Sequence, residues 1–477
     1  VTTAPDLSQL IKSYDVRGIV GETLTVEVAT AIGAAFADAI VLPDGETTVA
    51  IGHDMRDSGP WLADAVAEGL TSRGVDVVRI GLCSTDGLYH ASGALDIPGV
   101  MITASHNPAA YNGMKLCRSR ARAVGENSGL ADVRSLASRY LVEPPAAAET
   151  RGTETTRDMV GEYGAFLRSL VPLDGIRPLK VVVDAANAMA GYTVPAVLGT
   201  AAGLPELPLE IIPLYFELDG TFPNHEANPL ETANLRDLQA AVREHGADIG
   251  LAFDGDADRC FVIDERGEVV TPSAITCLVG LRETARELAA DPSARPTVIH
   301  NLISSRAVRE QLAEAGATPV RSRVGHSFIK AEMARLNAVF GGEHSAHFYF
   351  RDFFYADSGM LAAMHVLAAL GSQDGPLSGM IAAHEPYVAS GEINSTVDSV
   401  PDALARVKAA FVTDDVYSDE FDGLTVEHWP APGEGERWWF NVRPSNTEPL
   451  LRLNSEADGT ELMERMRDRV LAVIREG

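Results

Sequence analysis

Thr48-Val49-Ala50-Ile51-Gly52-His53-Asp54 is an apolar run that ends in polar residues, and the pattern of the next thirty residues sets the fold. From about Gly59 to Arg73 the pattern is that of an amphipathic helix, and Val75-Asp76-Val77-Val78-Arg79-Ile80 reads as a second strand. The same rhythm returns at Lys180-Val181-Val182-Val183-Asp184, with a helix near Gly191 and a strand near Glu210-Ile211-Ile212. It returns again at Thr297-Val298-Ile299-His300, with a helix from about Ser304 to Ala315 and a strand at Thr318-Pro319-Val320-Arg321. Alternating strands and helices imply mixed or parallel sheets with helices on both faces, and three such units in a row imply a triplicated α/β domain.

Composition places the boundaries. Glu143-Pro144-Pro145-Ala146-Ala147-Ala148-Glu149-Thr150 reads as a linker, and Gly371-Ser372-Gln373-Asp374-Gly375-Pro376 as the end of the third unit. The expected domains are 1–148, 149–259, 260–373 and 374–477. The last has a different texture: residues 391–397 strand-like, 401–412 helical, and an amphipathic charged helix over 459–475, which together suggest a smaller α+β domain.

A chain of 477 residues is too long for one core. With 46% hydrophobic and 22% charged residues it has an ordinary globular composition. No apolar run reaches the ~18 residues of a membrane span, and no signal peptide is visible at the start. A net charge of −28 argues against nucleic acid and anionic membranes as partners. Cys83, Cys117, Cys260 and Cys277 stand singly, which favours a reducing, cytoplasmic setting and argues against structural zinc.

Two loops carry the strongest chemistry. Asp254-Gly255-Asp256-Ala257-Asp258-Arg259 lies between the apolar strands 249–253 and 260–263; if extended, its three carboxylates share one face. Like charges at ~4 Å repel by about 1 kcal/mol in water and about 4 near a protein surface, so the trio calls for a cation, and all-oxygen ligation suits Mg²⁺ or Ca²⁺. An EF-hand fails because Arg259 stands where that loop needs glycine. Thr103-Ala104-Ser105-His106-Asn107-Pro108 comes after the strand-like run 98–102, so Ser105 sits at a strand end, with Lys115 ten residues on.

Arg443-Pro444-Ser445-Asn446-Thr447-Glu448-Pro449 is donor-rich and suits a phosphate monoester, with a helix capping box as the rival reading. In Gly341-Gly342-Glu343-His344-Ser345-Ala346-His347 an extended backbone would put Glu343, Ser345 and His347 on one side, where Glu343 could accept from vicinal sugar hydroxyls. Val324-Gly325-His326-Ser327 and Tyr14-Asp15-Val16-Arg17-Gly18 are weaker and would be routine turns on most chains.

These five stretches, in this order, resemble the α-D-phosphohexomutase superfamily, in particular the bacterial phosphomannomutase/phosphoglucomutase group. The resemblance implies four domains around a central cleft: three related α/β mixed-sheet domains and a C-terminal α+β domain of the TATA-binding-protein-like type. It implies Ser105 as phosphoserine and metal ligand, with Asp254, Asp256 and Asp258 holding Mg²⁺. Glu343 and Ser345 would read the sugar; Arg443, Ser445, Asn446, Thr447 and Arg452 would clamp the distal phosphate. Tyr14, Arg17, His106, Lys115, Arg259, His326 and His347 would line the reacting centre, with Lys115 the leading candidate for general base and its neighbours the alternatives. Ile303 stands where some members carry a phosphate-binding lysine, and Arg323 is a candidate substitute.

The activity so implied is phosphomannomutase, passing through a hexose 1,6-bisphosphate that also serves as activator. Dual-specificity or glucose-preferring phosphoglucomutase, phosphoglucosamine mutase and a metal-dependent sugar-phosphate phosphatase are the alternatives. The partner would be a small phosphosugar, and the protein a monomer or small homo-oligomer.

Overall fold

Four sheets organise the computed structural model, which describes residues 5–12, 14–444 and 450–476, with the backbone alone of residue 326. The first three sheets repeat one pattern. Their successive strands are Thr48–His53, Asp76–Leu82, Gly99–Ile102 and Tyr111–Arg118 in the first unit, and Leu179–Asp184, Leu209–Leu214, Ile249–Phe253 and Cys260–Asp264 in the second. In the third they are Thr297–Asn301, Thr318–Ser322, Phe340–Gly342 and Phe348–Phe350. In every case the spatial order is second, first, third, fourth, with the first three parallel and the fourth antiparallel. The triplication read from the strand–helix rhythm is therefore a triplication of topology.

The position beside the fourth strand differs. Short strands later in the chain, Val269–Val270 and Ala356–Asp357, fill it in the second and third units. In the first unit it is taken by Val16–Ile19 from the start of the chain, pairing antiparallel with Tyr111–Arg118. Arg17 pairs with Gly113, so Lys115, two residues along, shares its face of the sheet.

The fourth sheet is antiparallel throughout, in the order Val388–Thr396, Leu450–Ala457, Trp438–Pro444, Leu424–His428, Tyr417–Asp419. Helices Val400–Phe411 and Thr460–Arg475 close its own core through Val407, Phe411, Met466 and Val470.

Three expected boundaries move. Glu154–Thr156 pairs with Asp76–Leu82, so the first unit runs past residue 148. Cys260–Asp264 completes the second sheet, so that unit runs past residue 259. Leu377 and Ile381 pack into the core shared by the second and third units, so the fourth begins after them and not at residue 374. Each error has one cause: composition marks where the chain leaves a loop, not which sheet edge it rejoins.

The units meet around helix Thr85–Leu95. Asp86, in its first turn, accepts hydrogen bonds from Ser84 in the same unit, from Tyr163 Oη of the second (2.8 Å) and from Ser358 Oγ of the third (2.6 Å). Burial raises its pKa to about 6 against these donors. Asp86→Ala is expected to destabilise the protein by about 2–4 kcal/mol, because it strands buried hydroxyls in two other units. An unchanged melting temperature for that variant contradicts the junction role.

Candidate active site

All three chemistry-bearing loops join the third strand of a unit to its fourth, and each holds one non-glycine residue in the left-handed region: Ser105 (φ 48°), Ala257 (φ 59°) and Ala346 (φ 63°). The loops are tight turns, which matches the expectation for the serine loop and differs from the extended backbone expected of the aspartate and glutamate loops. Main-chain bonds close them from Asn107 N to Ala104 O, Ala257 N to Asp254 O and Ala346 N to Glu343 O. The side chains converge because a turn curls them inward, not because strand residues alternate. Backbone strain of this kind persists only where surrounding structure holds it.

The carboxylates of Asp254, Asp256 and Asp258 are buried and each offers an oxygen within 4.8 Å of the others. Ser105 Oγ donates to Asp254 Oδ2 at 2.7 Å, joining the serine loop of the first unit to the aspartate loop of the second. Cations surround the cluster. Lys115 Nζ donates to Asp256 Oδ2 at 2.7 Å and to Asp258, while Arg259 Nε and Nη2 donate to Asp254 Oδ2 at 3.0 and 2.9 Å. Thr85 Oγ1 donates to Asp256 Oδ2 at 2.5 Å and its N–H to the Asp256 carbonyl.

Burial, with Asp258 and Asp256 beside it, raises Asp254 to about 7 in spite of Arg259. Asp256 goes the other way: burial opposes ionisation, but Lys115 and Thr85 hold it well below the usual carboxylate range. Asp256 Oδ1 and Asp258 Oδ1 have no hydrogen-bond partner among the described residues although buried. An all-oxygen set with two orphaned, buried lone-pair donors fits a hard divalent cation.

His106 Nδ1 receives a hydrogen bond from Arg259 and lies 3.3 Å from Ser105 Oγ. Burial and the charges of Arg259 and Arg17 push its pKa down to about 2, so the imidazole is neutral. Burial works against the Lys115 ammonium, yet Asp256 and Asp258 raise its pKa above the ordinary lysine value. In this arrangement Lys115 is a cation held between Asp256 and Asp258. Arg17, held by Asp15 at 2.9 Å, has Asp256 and Asp258 within its field.

The sugar-loop candidates adjoin this centre. Arg259 and His347 form a β-bridge, and His347 Nε2 lies 3.7 Å from Asp258 Oδ1. Ser345 Oγ and His347 Nδ1 are 2.9 Å apart. Glu343, buried, accepts from Tyr349 Oη (2.6 Å) and Gly325 N (3.1 Å). Tyr14, 40% exposed, lies in the fields of Glu343 and Arg452. His326 opens helix His326–Leu336, and its side chain lies outside the described residues.

In the fourth domain Arg443 and Arg452 are directly opposed on neighbouring strands. Facing like charges repel. Here both bind one carboxylate: Arg443 Nη2 contacts Glu392 Oε2 and Arg452 Nη1 contacts Oε1 at 3.3 Å. Two guanidinium groups sharing an anion's two oxygens make an arrangement suited to a phosphate. Ser445, Asn446 and Thr447 lie outside the described residues. Ile303 is buried and apolar, and Arg323 stacks on Phe421 of the fourth domain, 5.4 Å from the ring centre.

Sequence reasoning missed Thr85 and Glu392, which no local pattern marks, and Gly255, whose role needs the partner loop. A Cβ at Gly255 would lie 2.2 Å from the Ser105 carbonyl oxygen, so only glycine lets the two loops meet.

Three α/β units of one topology, an antiparallel-sheet domain bearing an anion clamp, and a serine bonded into a buried carboxylate cluster define a phosphoryl-transferring isomerase of sugars. The chain belongs to the phosphoglucomutase/phosphomannomutase family: its alpha/beta/alpha domains I, II and III match residues 8–132, 162–267 and 276–387, and its C-terminal domain residues 392–473. Similar proteins include "Phosphohexose mutases" of Xanthomonas campestris, 40% identical over 94% of this chain and 95% of the relative. "Phosphomannomutase" of Escherichia coli is 38% identical over 97% and 98%. A crystal structure of a phosphoglucomutase/phosphomannomutase family protein from Burkholderia thailandensis superimposes with a TM-score of 0.84 at 29% identity, covering 98% of each chain.

Gly255→Ala is expected to lower kcat about a hundredfold by forcing the serine and aspartate loops apart, and to lower the melting temperature as well, because the new Cβ meets backbone at the domain junction. Wild-type turnover in that variant contradicts the close approach.

Proposed function

We propose that the protein interconverts mannose 6-phosphate and mannose 1-phosphate, with Ser105 as a covalent phosphoryl carrier. The observation that supports this most is the 2.7 Å bond from Ser105 Oγ to Asp254 inside the buried carboxylate cluster. A phosphoryl group on that oxygen would bring roughly −1.5 to −2 charges beside three aspartates. Mg²⁺ held by Asp254, Asp256 and Asp258, with a phosphoserine oxygen, would neutralise that charge and polarise the phosphoryl group.

The chain's own residues do the rest. Arg443 and Arg452 exchange Glu392 for the substrate's phosphate, and Glu343 and Ser345 orient the sugar. A free sugar hydroxyl attacks phosphoserine; the P–O bond to Ser105 breaks as the bond to the sugar forms, and Lys115 gives a proton to the departing serine oxygen and takes up the one the sugar hydroxyl sheds. The resulting 1,6-bisphosphate turns over and gives its other phosphoryl group back to Ser105. Such transfer depends on positioning and charge stabilisation more than on a strong base, which suits a neutral His106 and a protonated Lys115.

Mannose is favoured because relatives from Escherichia coli and Vibrio cholerae, 38% and 36% identical, bear the name phosphomannomutase. A hexose 1,6-bisphosphate would act as activator by charging Ser105. Four buried, unpaired cysteines fit a cytoplasmic setting, and among the described residues no helix is long and apolar enough to cross a membrane.

Ser105→Ala is expected to abolish mutase turnover while mannose 1-phosphate still binds, as read by a coupled assay and calorimetry. Near-wild-type turnover overturns the carrier, and release of inorganic phosphate by the wild type in place of isomerised sugar makes the protein a phosphatase. Parallel assays with glucose and glucosamine 1-phosphates rank the sugars. Chelation with EDTA is expected to stop turnover and added Mg²⁺ to restore it; full activity in chelator removes the metal role of the three aspartates.

A further inference from the structure

Arg56 holds the serine loop from behind and touches none of the reacting groups. It lies just beyond strand Thr48–His53, is 2% exposed, and spends its guanidinium on the main chain of one loop. Nη1 donates to the carbonyls of Pro108 (3.0 Å) and Tyr111 (2.9 Å); Nη2 donates to those of Ser105 (3.0 Å) and Asn107 (2.6 Å). Asp54 fixes its near end, with Oδ2 3.4 Å from Nε and Oδ1 accepting the Arg56 N–H at 3.0 Å. The ring of Phe222, from the second unit, covers the guanidinium with its centre 5.0 Å away.

Four carbonyl dipoles aimed at one buried point repel each other unless a cation sits there. The planar fork of arginine supplies several donors in fixed directions, whereas a lysine ammonium cannot reach four acceptors spread in this way. The Ser105 carbonyl is thus gripped by Arg56, and the aspartate loop approaches it so closely that a Cβ on Gly255 would lie 2.2 Å from its oxygen. Ser105 keeps a left-handed φ of 48°, a conformation that needs such external support.

We infer that Arg56 is the positioning residue of the phosphoryl carrier: by fixing the carbonyls of Ser105 and its neighbours it aims Oγ at the carboxylate cluster in both half-reactions. This rests on the reading of Ser105 as the carrier. Arg56 acts through the loop, while the groups assigned to the sugar and the distal phosphate lie on the third and fourth domains. Its loss must therefore slow phosphoryl transfer and spare substrate binding.

Phosphorylation of Ser105 is measured by intact mass after mixing with glucose 1,6-bisphosphate, alongside steady-state kinetics. Arg56→Lys is expected to slow Ser105 phosphorylation and lower kcat about a hundredfold, with KM for mannose 1-phosphate within about threefold of wild type. Phe222→Leu leaves the hydrogen-bonding groups in place and uncovers one face of the guanidinium; about a fivefold loss in the same rate is expected, again without a change in KM. Wild-type phosphorylation rates in both variants, or a loss expressed wholly in KM, overturn the role of Arg56. If the wild type itself gains no phosphoryl group on Ser105, the carrier reading fails first, and the two failures are told apart by that control.

Discussion

Mutual repulsion among Asp254, Asp256 and Asp258 dictates how the units of this protein meet. Three buried carboxylates within 4.8 Å are tolerable only with cations and donors around them, and no single unit supplies enough. Lys115 and Thr85 come from the first unit, Arg259 from the aspartate loop itself, and His347 from the third. The charges that would hold a cation thus also hold the units together. Separating the units would leave buried charge uncompensated, so the site and the domain junction are one object, with Asp86 as a second knot behind it.

The triplicated topology explains how one junction gathers unlike chemistry. Each unit presents its third-to-fourth-strand loop, each loop is turned by a left-handed residue, and each carries a different group: a serine hydroxyl, three carboxylates, a glutamate beside a serine and two histidines. The fourth domain, built on another plan, contributes two opposed arginines that already share one carboxylate. A substrate with a phosphate at one end and a reacting hydroxyl at the other would span these two regions.

Much of this is legible in the sequence. Val181-Val182-Val183 and its two counterparts announce buried strands, and the spacing of Asp254, Asp256 and Asp258 announces a carboxylate cluster that could hold a cation. The local conformation is not legible: alternate residues converge on a strand and in a tight turn alike, and the extended reading of the aspartate and glutamate loops is the wrong one. Boundaries fail where sheet pairing, a long-range property, overrides composition, as at Glu154–Thr156 and Cys260–Asp264. Arg56, Thr85 and Glu392 cannot be found at all, because each acts on residues 49 to 171 positions away and sits in no motif of its own. The upward pKa shift of Lys115 likewise comes from its carboxylate partners, which sequence spacing does not reveal.

Passage of a phosphoryl group through Ser105 is the step on which the proposed chemistry turns. Its most direct test uses mannose 1-phosphate labelled with ¹⁸O in the non-bridging phosphoryl oxygens, mixed in a single turnover with enzyme carrying unlabelled phosphate. If Ser105 is the carrier, the label ends on the Ser105 peptide while the product mannose 6-phosphate carries the unlabelled group the enzyme began with. Label that stays with the sugar, or leaves as inorganic phosphate, would contradict it.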